Sequence, residues 1–278
     1  MLEKCYASGK AEFFVLYGRW RVGKTELLAR FCEGKRSIFF VSDLGSEISL
    51  RTALSTAVNT TLFGPNQMNA VYSTWEDLFH ALAKAAKNER LVVVLDEFPY
   101  LVTAHLPLAT ILQRVWDQTL KNSQIMLILC GSYIGMMEET VLGYQAPLYG
   151  RRTAQYLLEP LKFKDARLFY PSFDLEDQVR AYAVYGGTPA YLRTLKPQQS
   201  LRENILDGIL SRGSFLYDEV RFVLQQELRE PRNYFAILQA IAAGKTRLNE
   251  IKQATELKGQ PLTWIPCSSF TWLIAWFP

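Results

Sequence analysis

The sequence predicts an α/β protein in which a five-stranded, mostly parallel sheet carries helices on both faces and an all-helical region follows. Apolar runs of strand length alternate with helical patterns from residue 13 to residue 159, which is typical of a doubly wound sheet with right-handed crossovers. The run LVVVL at 91–95 is continuous and mostly β-branched, as expected for a parallel strand covered on both faces. From about Pro160 onward, short helical segments separated by proline and glycine replace this alternation.

The predicted strands span 13–17, 37–43, 91–95, 125–129 and 153–158. Between them, the periodicity predicts helices after Lys24, up to about Leu62, from a capping box at 73–76 and over about 108–120. The later helices are predicted at 163–170, 175–185, 199–211, 214–229 and 232–243. We therefore expect three regions, which are a core at 1–159, a helical subdomain at 160–230 and a C-terminal region at 231–278.

Composition indicates an ordinary soluble globular protein. Apolar residues make up 49% of the chain, charged residues make up 21%, and the net charge is +4. Without a dense basic run, this charge is typical of a mixed surface rather than of a nucleic-acid binder. The N-terminus lacks the apolar core of a secretory signal, and the apolar tail at 264–278 is too short and too interrupted to span a membrane.

Cysteine and histidine usage points to the cytoplasm and away from a metal site built from histidines. The two histidines, His80 and His105, are too few for a His-built metal site. The four cysteines lie far apart without CxxC spacing, which predicts reduced thiols in a cytoplasmic protein. They are Cys5, Cys32, Cys130 and Cys267.

The segment GRWRVGKT at 18–25 lies between the first strand and the first helix and has the GxxxxGK[ST] form of a phosphate-binding loop. Gly18 and Gly23 allow the backbone to bend around a polyphosphate with its N–H groups pointing inward. The positive end of the following helix favours an anion. We expect Lys24 to reach the β- and γ-phosphates and Thr25 to ligate Mg²⁺. The predicted nucleotide-binding residues here are Gly18, Arg19, Trp20, Arg21, Val22, Gly23, Lys24, Thr25 and Glu26.

Asp96 and Glu97 end the run LVVVLDE. The carboxyl ends of parallel strands are where α/β sheets bind ligands, so both acids would lie beside the phosphate-binding loop if their strands are neighbours. Asp96 is then suited to hold Mg²⁺ through water, and Glu97 to accept a proton from an attacking water. Taken alone, an Asp-Glu pair at the end of a strand is also a common start of a loop.

Two further positions have both a functional and a structural interpretation. Ser132 follows the strand at 125–129, where it could reach the γ-phosphate or the attacking water. It could instead cap the segment that starts at Ile134. Arg151 could stabilise the transferring phosphoryl group, in its own chain or in a neighbouring subunit, or it could be a solvated loop arginine.

The segment GGTP at 186–189 separates two predicted helices of the second region. Gly186 and Gly187 permit a close backbone approach, and Pro189 is suited to the first position of the next helix. This turn either connects the two helices or closes over the nucleotide.

Several segments together resemble one family in their order and spacing. They are YGRWRVGKTELL, LVVVLDEFPYL, LILCGSYIGMM, PLYGRRT, LEPLKF and YGGTPAYL. They resemble the archaeal-type ATPase family, in the AAA+/STAND group of P-loop ATPases, over about 12–245. The resemblance implies a P-loop NTPase sheet with ATP at its carboxyl edge, followed by a helical lid. The roles it implies are a Walker A loop at 18–25, a Walker B pair at Asp96 and Glu97, a sensor-like Ser132, an arginine-finger position at Arg151 and a lid motif that includes Gly187 and Pro189.

Two segments depart from the family pattern. Family members carry a segment of the type Phe-x-x-Arg-Glu-x-Glu-Leu near the adenine, but only Met1 to Ala11 precede the first strand here. The stretch at 245–259 resembles the first two helices of a winged helix, and a Trp/Pro/Ser-rich tail stands where the recognition helix and wing are expected. The C-terminal region is thus a partial winged helix, and a truncated or frame-shifted product is one explanation of the tail.

The sequence therefore predicts an ATPase that binds ATP and Mg²⁺ and couples hydrolysis to movement of the lid or of a partner. An alternative is a nucleotide-gated switch or DNA-associated regulator with little turnover, which binds DNA or protein through its C-terminal region. A third interpretation is an inert fragment whose aromatic tail favours aggregation. An oligomer is compatible with the arginine-finger position, and no membrane partner is expected.

Overall fold

The computed structural model describes residues 1–64, 71–227 and 231–255. The chain divides into two compact units, of which the first is Met1–Glu159 and the second begins at Pro160. The further division into a lid at 160–230 and a winged-helix-like region at 231–278 stays a prediction. Cys267, the tail at 264–278 and part of the loop predicted at 64–66 lie outside the described residues.

Within the first unit, five strands form one sheet. They are β1 (Glu12–Tyr17), β2 (Ser37–Val41), β3 (Leu91–Asp96), β4 (Ile125–Gly131) and β5 (Ala154–Leu157). The order is β2-β3-β4-β1-β5, and every adjacent pair is parallel. The predicted fold class is confirmed. The condition that the strands of Gly18 and Asp96 are neighbours is not met, because β4 lies between β1 and β3.

Side chains alternate between the two faces of the sheet, and helices cover both. The helices of this unit are α1 (Leu2–Ala7), α2 (Lys24–Cys32), α3 (Glu47–Phe63), α4 (Trp75–Ala85), α5 (Phe98–Ala104), α6 (Leu108–Gln118) and α7 (Ile134–Met137). Phe13 and Val15 belong to a core with α3 to α6, whereas Phe14 and Leu16 pack with α1 and α2. All six residues of β3 are buried, as expected for a strand between two helical layers.

Three local features differ from the sequence prediction. The N-cap of α4 is Thr74, whose hydroxyl accepts from the Asp77 N–H at 3.1 Å, so the capping box predicted from Ser73 is wrong by one residue. Helix α1 was not predicted, and it forms because Leu2 and its neighbours cover one face of the sheet. Helix α5 was also not predicted. It begins directly after Glu97, with a proline in its first turn, the position that proline favours.

Among the described residues of the second unit, helices are the only regular secondary structure. Its helices are α8 (Phe163–Ala166), α9 (Leu175–Tyr185), α10 (Pro189–Leu192), α11 (Leu201–Ile205), α12 (Glu219–Glu227), α13 (Pro231–Ala242) and α14 (Leu248–Thr255). The helix predicted from residue 214 begins at Glu219, and the one predicted at 199–211 consists of α11 and a π-helical turn at Leu206–Leu210. Tyr170 and Tyr185 are fully buried in the core of this unit. Among the described residues, no helix has the length and apolar character needed to cross a membrane.

Candidate nucleotide-binding site

The loop at 18–23 connects the carboxyl end of β1 to the first residue of α2, as the motif predicts. Gly23 is the N-cap of α2 with a left-handed φ of 94°, which a side chain would disfavour. Lys24 is 4% exposed, and its Nζ donates to the carbonyl oxygens of Gly18 at 2.9 Å and Arg19 at 2.8 Å. The ammonium group therefore lies inside the loop, where a bound phosphate would need a positive charge.

Gly18 is required by a close approach of the backbone rather than by the loop alone. A Cβ built at this position would lie 2.3 Å from the carbonyl oxygen of Leu158, in the segment that leaves β5. That segment is held in place because the Leu158 N–H donates to the Tyr17 oxygen at 2.7 Å. The first glycine of the motif thus lets the loop pack against the end of a neighbouring strand.

The remaining residues of the predicted loop line it in different ways. Val22 is 5% exposed and anchors the loop. Arg21 has a φ of 65°, a conformation that costs a residue with a Cβ and is concentrated at ligand clamps. Arg19 and Trp20 are half-buried, and the Glu26 side chain is exposed on the first turn of α2.

Asp96 reaches the loop across the intervening strand. Its side chain is fully buried, and its Oδ2 accepts a hydrogen bond from the Thr25 hydroxyl at 2.6 Å. Its Oδ1 accepts from the Glu97 N–H at 3.0 Å. Thr25 and Asp96, which are 71 residues apart in sequence, therefore present a hydroxyl and a carboxylate at one place.

Glu97 lies next to this pair, and Ser132 holds it. The Glu97 backbone has a left-handed φ of 52°, and its side chain is 9% exposed. The Ser132 N–H donates to Oε2 at 3.1 Å, and the Ser132 hydroxyl donates to Oε1. The alternative in which Ser132 caps the following helix is wrong, because Tyr133 occupies the N-cap of α7.

Three residues around the acids were not predicted as part of the site. Tyr100 and Tyr133 pack edge to face with ring centroids 6.1 Å apart, and burial together with the Tyr133 hydroxyl raises the pKa of Tyr100. Burial and the adjacent Asp96 carboxylate raise the pKa of the Cys130 thiol well above 9.0. The available signal was position, since each of the three lies within four residues of Asp96 or Ser132: Cys130 on β4, Tyr133 just after it and Tyr100 in α5.

Arg151 is not brought to the loop of its own chain. Its Nη2 donates to Asp117 Oδ2 at 3.0 Å, and its Nη1 donates to the Tyr149 oxygen at 3.0 Å. The nearby Thr153 N–H donates to the Phe13 oxygen at 2.8 Å, so this segment lies at the amino edge of the sheet, opposite the loop. The alternative in which Arg151 acts within its own chain is therefore wrong, whereas a role toward a neighbouring subunit and that of a loop arginine both stay predictions.

The GGTP turn is packed within the second unit. A Cβ on Gly187 would lie 1.9 Å from the Leu161 oxygen, and the Leu161 N–H donates to the Gly187 oxygen at 2.8 Å. Pro189 begins α10, as predicted. The role of Gly187 and Pro189 at the nucleotide stays a prediction.

The residues present fit a triphosphate with Mg²⁺. The buried Lys24 ammonium lies inside the loop, and the paired Thr25 hydroxyl and Asp96 carboxylate are hard oxygen donors. Mg²⁺ in phosphate sites keeps several waters and takes only one or two protein ligands in addition to phosphate oxygens. Over residues 1–64, 71–227 and 231–255 there is no group of three or more His, Cys, Asp or Glu side chains that could hold a metal ion.

The strand order, the loop and the acid at the end of β3 define the class of protein, which is a P-loop ATPase. Residues 1–195 match the model of a family described as an ATPase domain predominantly from Archaea. The chain belongs to this family, which confirms the resemblance inferred from the sequence motifs.

Two archaeal proteins are similar to this chain, one over most of it and one over a short part. An uncharacterized protein of Methanocaldococcus jannaschii is 35% identical over 257 residues, which are 92% of this chain and 55% of that protein. A second uncharacterized protein of the same organism is 41% identical over 56 residues, which are 20% of this chain and 54% of that protein. The chain spans about half the length of the curated relatives that it matches.

Solved structures share the fold at low sequence identity. The Walker-type ATPase of Pyrococcus abyssi is similar with a TM-score of 0.62 and 19% identity, over 94% of this chain and 84% of that one. The ORC2 protein of Aeropyrum pernix, solved as ADPNP and ADP complexes, gives a TM-score of 0.61 and 14% identity, over 94% and 80% of the two chains. The ORC1 protein of the same organism, solved in complex with DNA, gives 0.51 and 16% identity, over 94% and 78%.

Proposed function

We propose that this protein binds ATP with Mg²⁺ and hydrolyses it to ADP and phosphate, and that the reaction drives a movement of the helical second unit or of a partner. The observation that carries the proposal is the 2.6 Å hydrogen bond between Thr25 and Asp96. It joins the end of the phosphate-binding loop to the acid at the end of β3, and Glu97 follows that acid directly.

The phosphate-binding step rests on Lys24 and on the main chain of the loop. In the free protein the Lys24 ammonium satisfies two loop carbonyl oxygens. We propose that the β- and γ-phosphates replace these oxygens as its partners, while the N–H groups of the loop and of the first turn of α2 bind the remaining phosphate oxygens. Gly23, the N-cap of α2, places no side chain at the start of that helix.

Thr25 and Asp96 would hold Mg²⁺ at this place, where the ion neutralises charge on the β- and γ-phosphate oxygens. We propose Glu97 as the general base. It accepts the proton of a water that attacks the γ-phosphorus, the bond from that phosphorus to the bridging oxygen breaks, and ADP leaves. Such proton transfer by a positioned carboxylate contributes about 10²–10⁴-fold to a rate.

A Mg-ATP titration followed by a turnover assay tests this function. Replacing Lys24 by Ala is expected to weaken ATP binding at least about tenfold, because a charge-assisted hydrogen bond contributes about 1.5–3 kcal/mol. Lys35→Ala is the matched control, since Lys35 is a half-buried lysine of the first unit that pairs with Glu3 instead. Unchanged binding and turnover in Lys24→Ala would contradict the proposal.

The second candidate is a nucleotide-gated regulator that binds DNA or protein through its C-terminal region. Two observations favour it, namely the fold shared with a protein that was solved on DNA and the exposed basic residues Lys245 and Arg247 before α14. Single-turnover hydrolysis with and without duplex DNA separates the candidates. Fast turnover that is independent of DNA supports the ATPase, whereas slow turnover that changes with DNA supports the regulator.

A further inference from the structure

Helices α12 and α13 of the second unit form a cavity of about 190 Å³. Its floor is apolar, because the Leu224 side chain is 1% exposed and Phe235 packs against the small core that contains it. Its mouth is polar, because Arg221, Gln225 and Arg232 are exposed. The residues that line the cavity are Arg221, Leu224, Gln225, Pro231, Arg232 and Phe235.

The mouth of the cavity carries two positive charges. The guanidinium carbon of Arg221 lies 5.0 Å from the centroid of the Phe235 ring, and Arg232 lies in the first turn of α13. Among the side chains that the structure describes, no carboxylate forms an ion pair with either arginine. The buried Glu219 at the start of α12 accepts instead from the Tyr191 hydroxyl at 2.8 Å.

These charges suit an anion of a particular shape. The planar fork of an arginine matches a carboxylate with two parallel N–H bonds, and a guanidinium that lies over an aromatic ring keeps its N–H donors at its edge. The cavity also opens at the start of α13, a helix of 12 residues, whose positive end favours the same charge.

The volume limits what the cavity can hold. An apolar cavity of about 150 Å³ binds a benzene molecule, so about 190 Å³ admits one ring or one branched chain together with a carboxylate. A nucleotide, with its base, ribose and phosphates, is too large. This cavity is therefore separate in kind from the phosphate-binding loop at 18–25.

We propose that the cavity binds a small carboxylate whose apolar body is about the size of one ring. The body contacts Leu224 and Phe235, and the carboxylate pairs with Arg221 and Arg232 at the mouth. The proposal does not depend on the ATPase function, because no residue of the loop at 18–25 and neither acid at the end of β3 takes part in it.

The test is isothermal titration calorimetry of the full chain with phenylacetate, which joins one ring to one carboxylate. For a ligand of about ten non-hydrogen atoms, we expect a Kd of about 0.1–1 mM. Phenylacetamide, the neutral isostere, is expected to bind at least about fivefold more weakly, because its hydrogen bonds are not charge-assisted. Phenylacetate is also expected to raise Tm as its concentration exceeds Kd, since it binds the folded chain.

Two variants remove the charges and keep the apolar stems. Arg221→Met and Arg232→Met are each expected to weaken phenylacetate binding about tenfold. Arg180→Met is the matched control, because Arg180 is an exposed arginine of the same unit that pairs with Glu176 and Asp177 instead; its Kd is expected to match wild type. Thermal unfolding of each variant verifies that it is folded.

Three outcomes overturn the proposal. The first is a wild type that shows no saturable binding of phenylacetate up to about 10 mM, and the second is a Kd that is the same in wild type and in both arginine variants. The third is duplex DNA that displaces phenylacetate in wild type and binds more weakly to both variants, since the arginines would then serve a phosphate backbone. A Mg-ATP titration of the same samples shows separately whether the ATPase proposal holds.

Discussion

Substituting Gly18 by Ala tests whether the loop owes its shape to close packing against the end of β5. The new Cβ would lie 2.3 Å from the Leu158 oxygen, whereas real Cβ contacts stay beyond 3.0 Å. The two backbones must therefore separate by about 0.7 Å, a displacement of the kind that overpacking substitutions force. Leu158 cannot move alone, because its N–H is bonded to the Tyr17 oxygen at 2.7 Å.

The expected loss in the free energy of unfolding follows from these two contacts. Overpacking costs about 1–3 kcal/mol, and loss of the strand-end hydrogen bond adds about 0.5–1.5 kcal/mol. We expect Gly18→Ala to lower the free energy of unfolding by about 2–4 kcal/mol and Tm by about 4–16 °C. Because the loop itself is displaced, ATP affinity is expected to fall at least about tenfold, since a shift of about 1 Å is enough to spoil a positioned site.

The assay combines urea unfolding with a Mg-ATP titration. Gly135→Ala is the matched control, since Gly135 lies in α7 with open space around its Cβ position and without a left-handed φ. A methyl group there is expected to leave stability and binding unchanged or to stabilise α7 slightly. The reasoning is refuted if Gly18→Ala unfolds within about 0.5 kcal/mol of wild type and binds ATP with the same Kd.

Three further predictions concern Glu97, Cys130 and Arg151. Glu97→Gln is expected to retain ATP binding and to lose at least about 100-fold in kcat, as measured by titration and by phosphate release; full turnover would remove the glutamate from the mechanism. The raised pKa of the Cys130 thiol means that the unfolded chain loses this proton first, so stability should fall as pH rises above 9.0. Unfolding midpoints between pH 8 and pH 10 should show this slope in wild type and a smaller one in Cys130→Ala. Arg151→Ala is expected to leave Kd for ATP unchanged and to abolish any rise of kcat with protein concentration. The control, Arg152→Ala, is expected to retain that rise. Equal effects of the two substitutions would show that Arg151 has no role between subunits.

Local sequence patterns were sufficient to predict most strands and helices of the first unit. The run LVVVL predicted β3 because five consecutive apolar side chains can be satisfied only by cover on both faces, and all of them are buried. The GxxxxGK[ST] segment predicted the turn between β1 and α2 because its glycines and its position leave few other conformations. Helices α1 and α5 were missed because they are short, at six and seven residues, and periodicity is weak over so few positions.

The sequence named Thr25, Asp96 and Glu97 as candidate site residues, but it could not show their contacts. Strand order is set by crossovers between distant segments, so the sequence could not show that β4 separates β1 from β3. The sequence could not show which residue Ser132 contacts, so two interpretations of this serine stayed open. Only the structure shows its hydrogen bonds to Glu97. Arg151 was assigned by its place in a motif, and the parallel pairing of β5 with β1 placed it at the amino edge of the sheet.

The sequence by itself determined the α/β class, the turn at 18–23 between the first strand and the first long helix, and the position of Asp96 and Glu97 at the end of a buried strand, because these depend on hydrophobic periodicity and on short motifs of fixed spacing. The tertiary structure alone decided which of these groups meet. The bond from Thr25 to Asp96 spans 71 residues, and the anchoring of Glu97 by Ser132 spans 35. Contacts at such separations depend on how the whole sheet packs, a property that no local stretch of residues encodes.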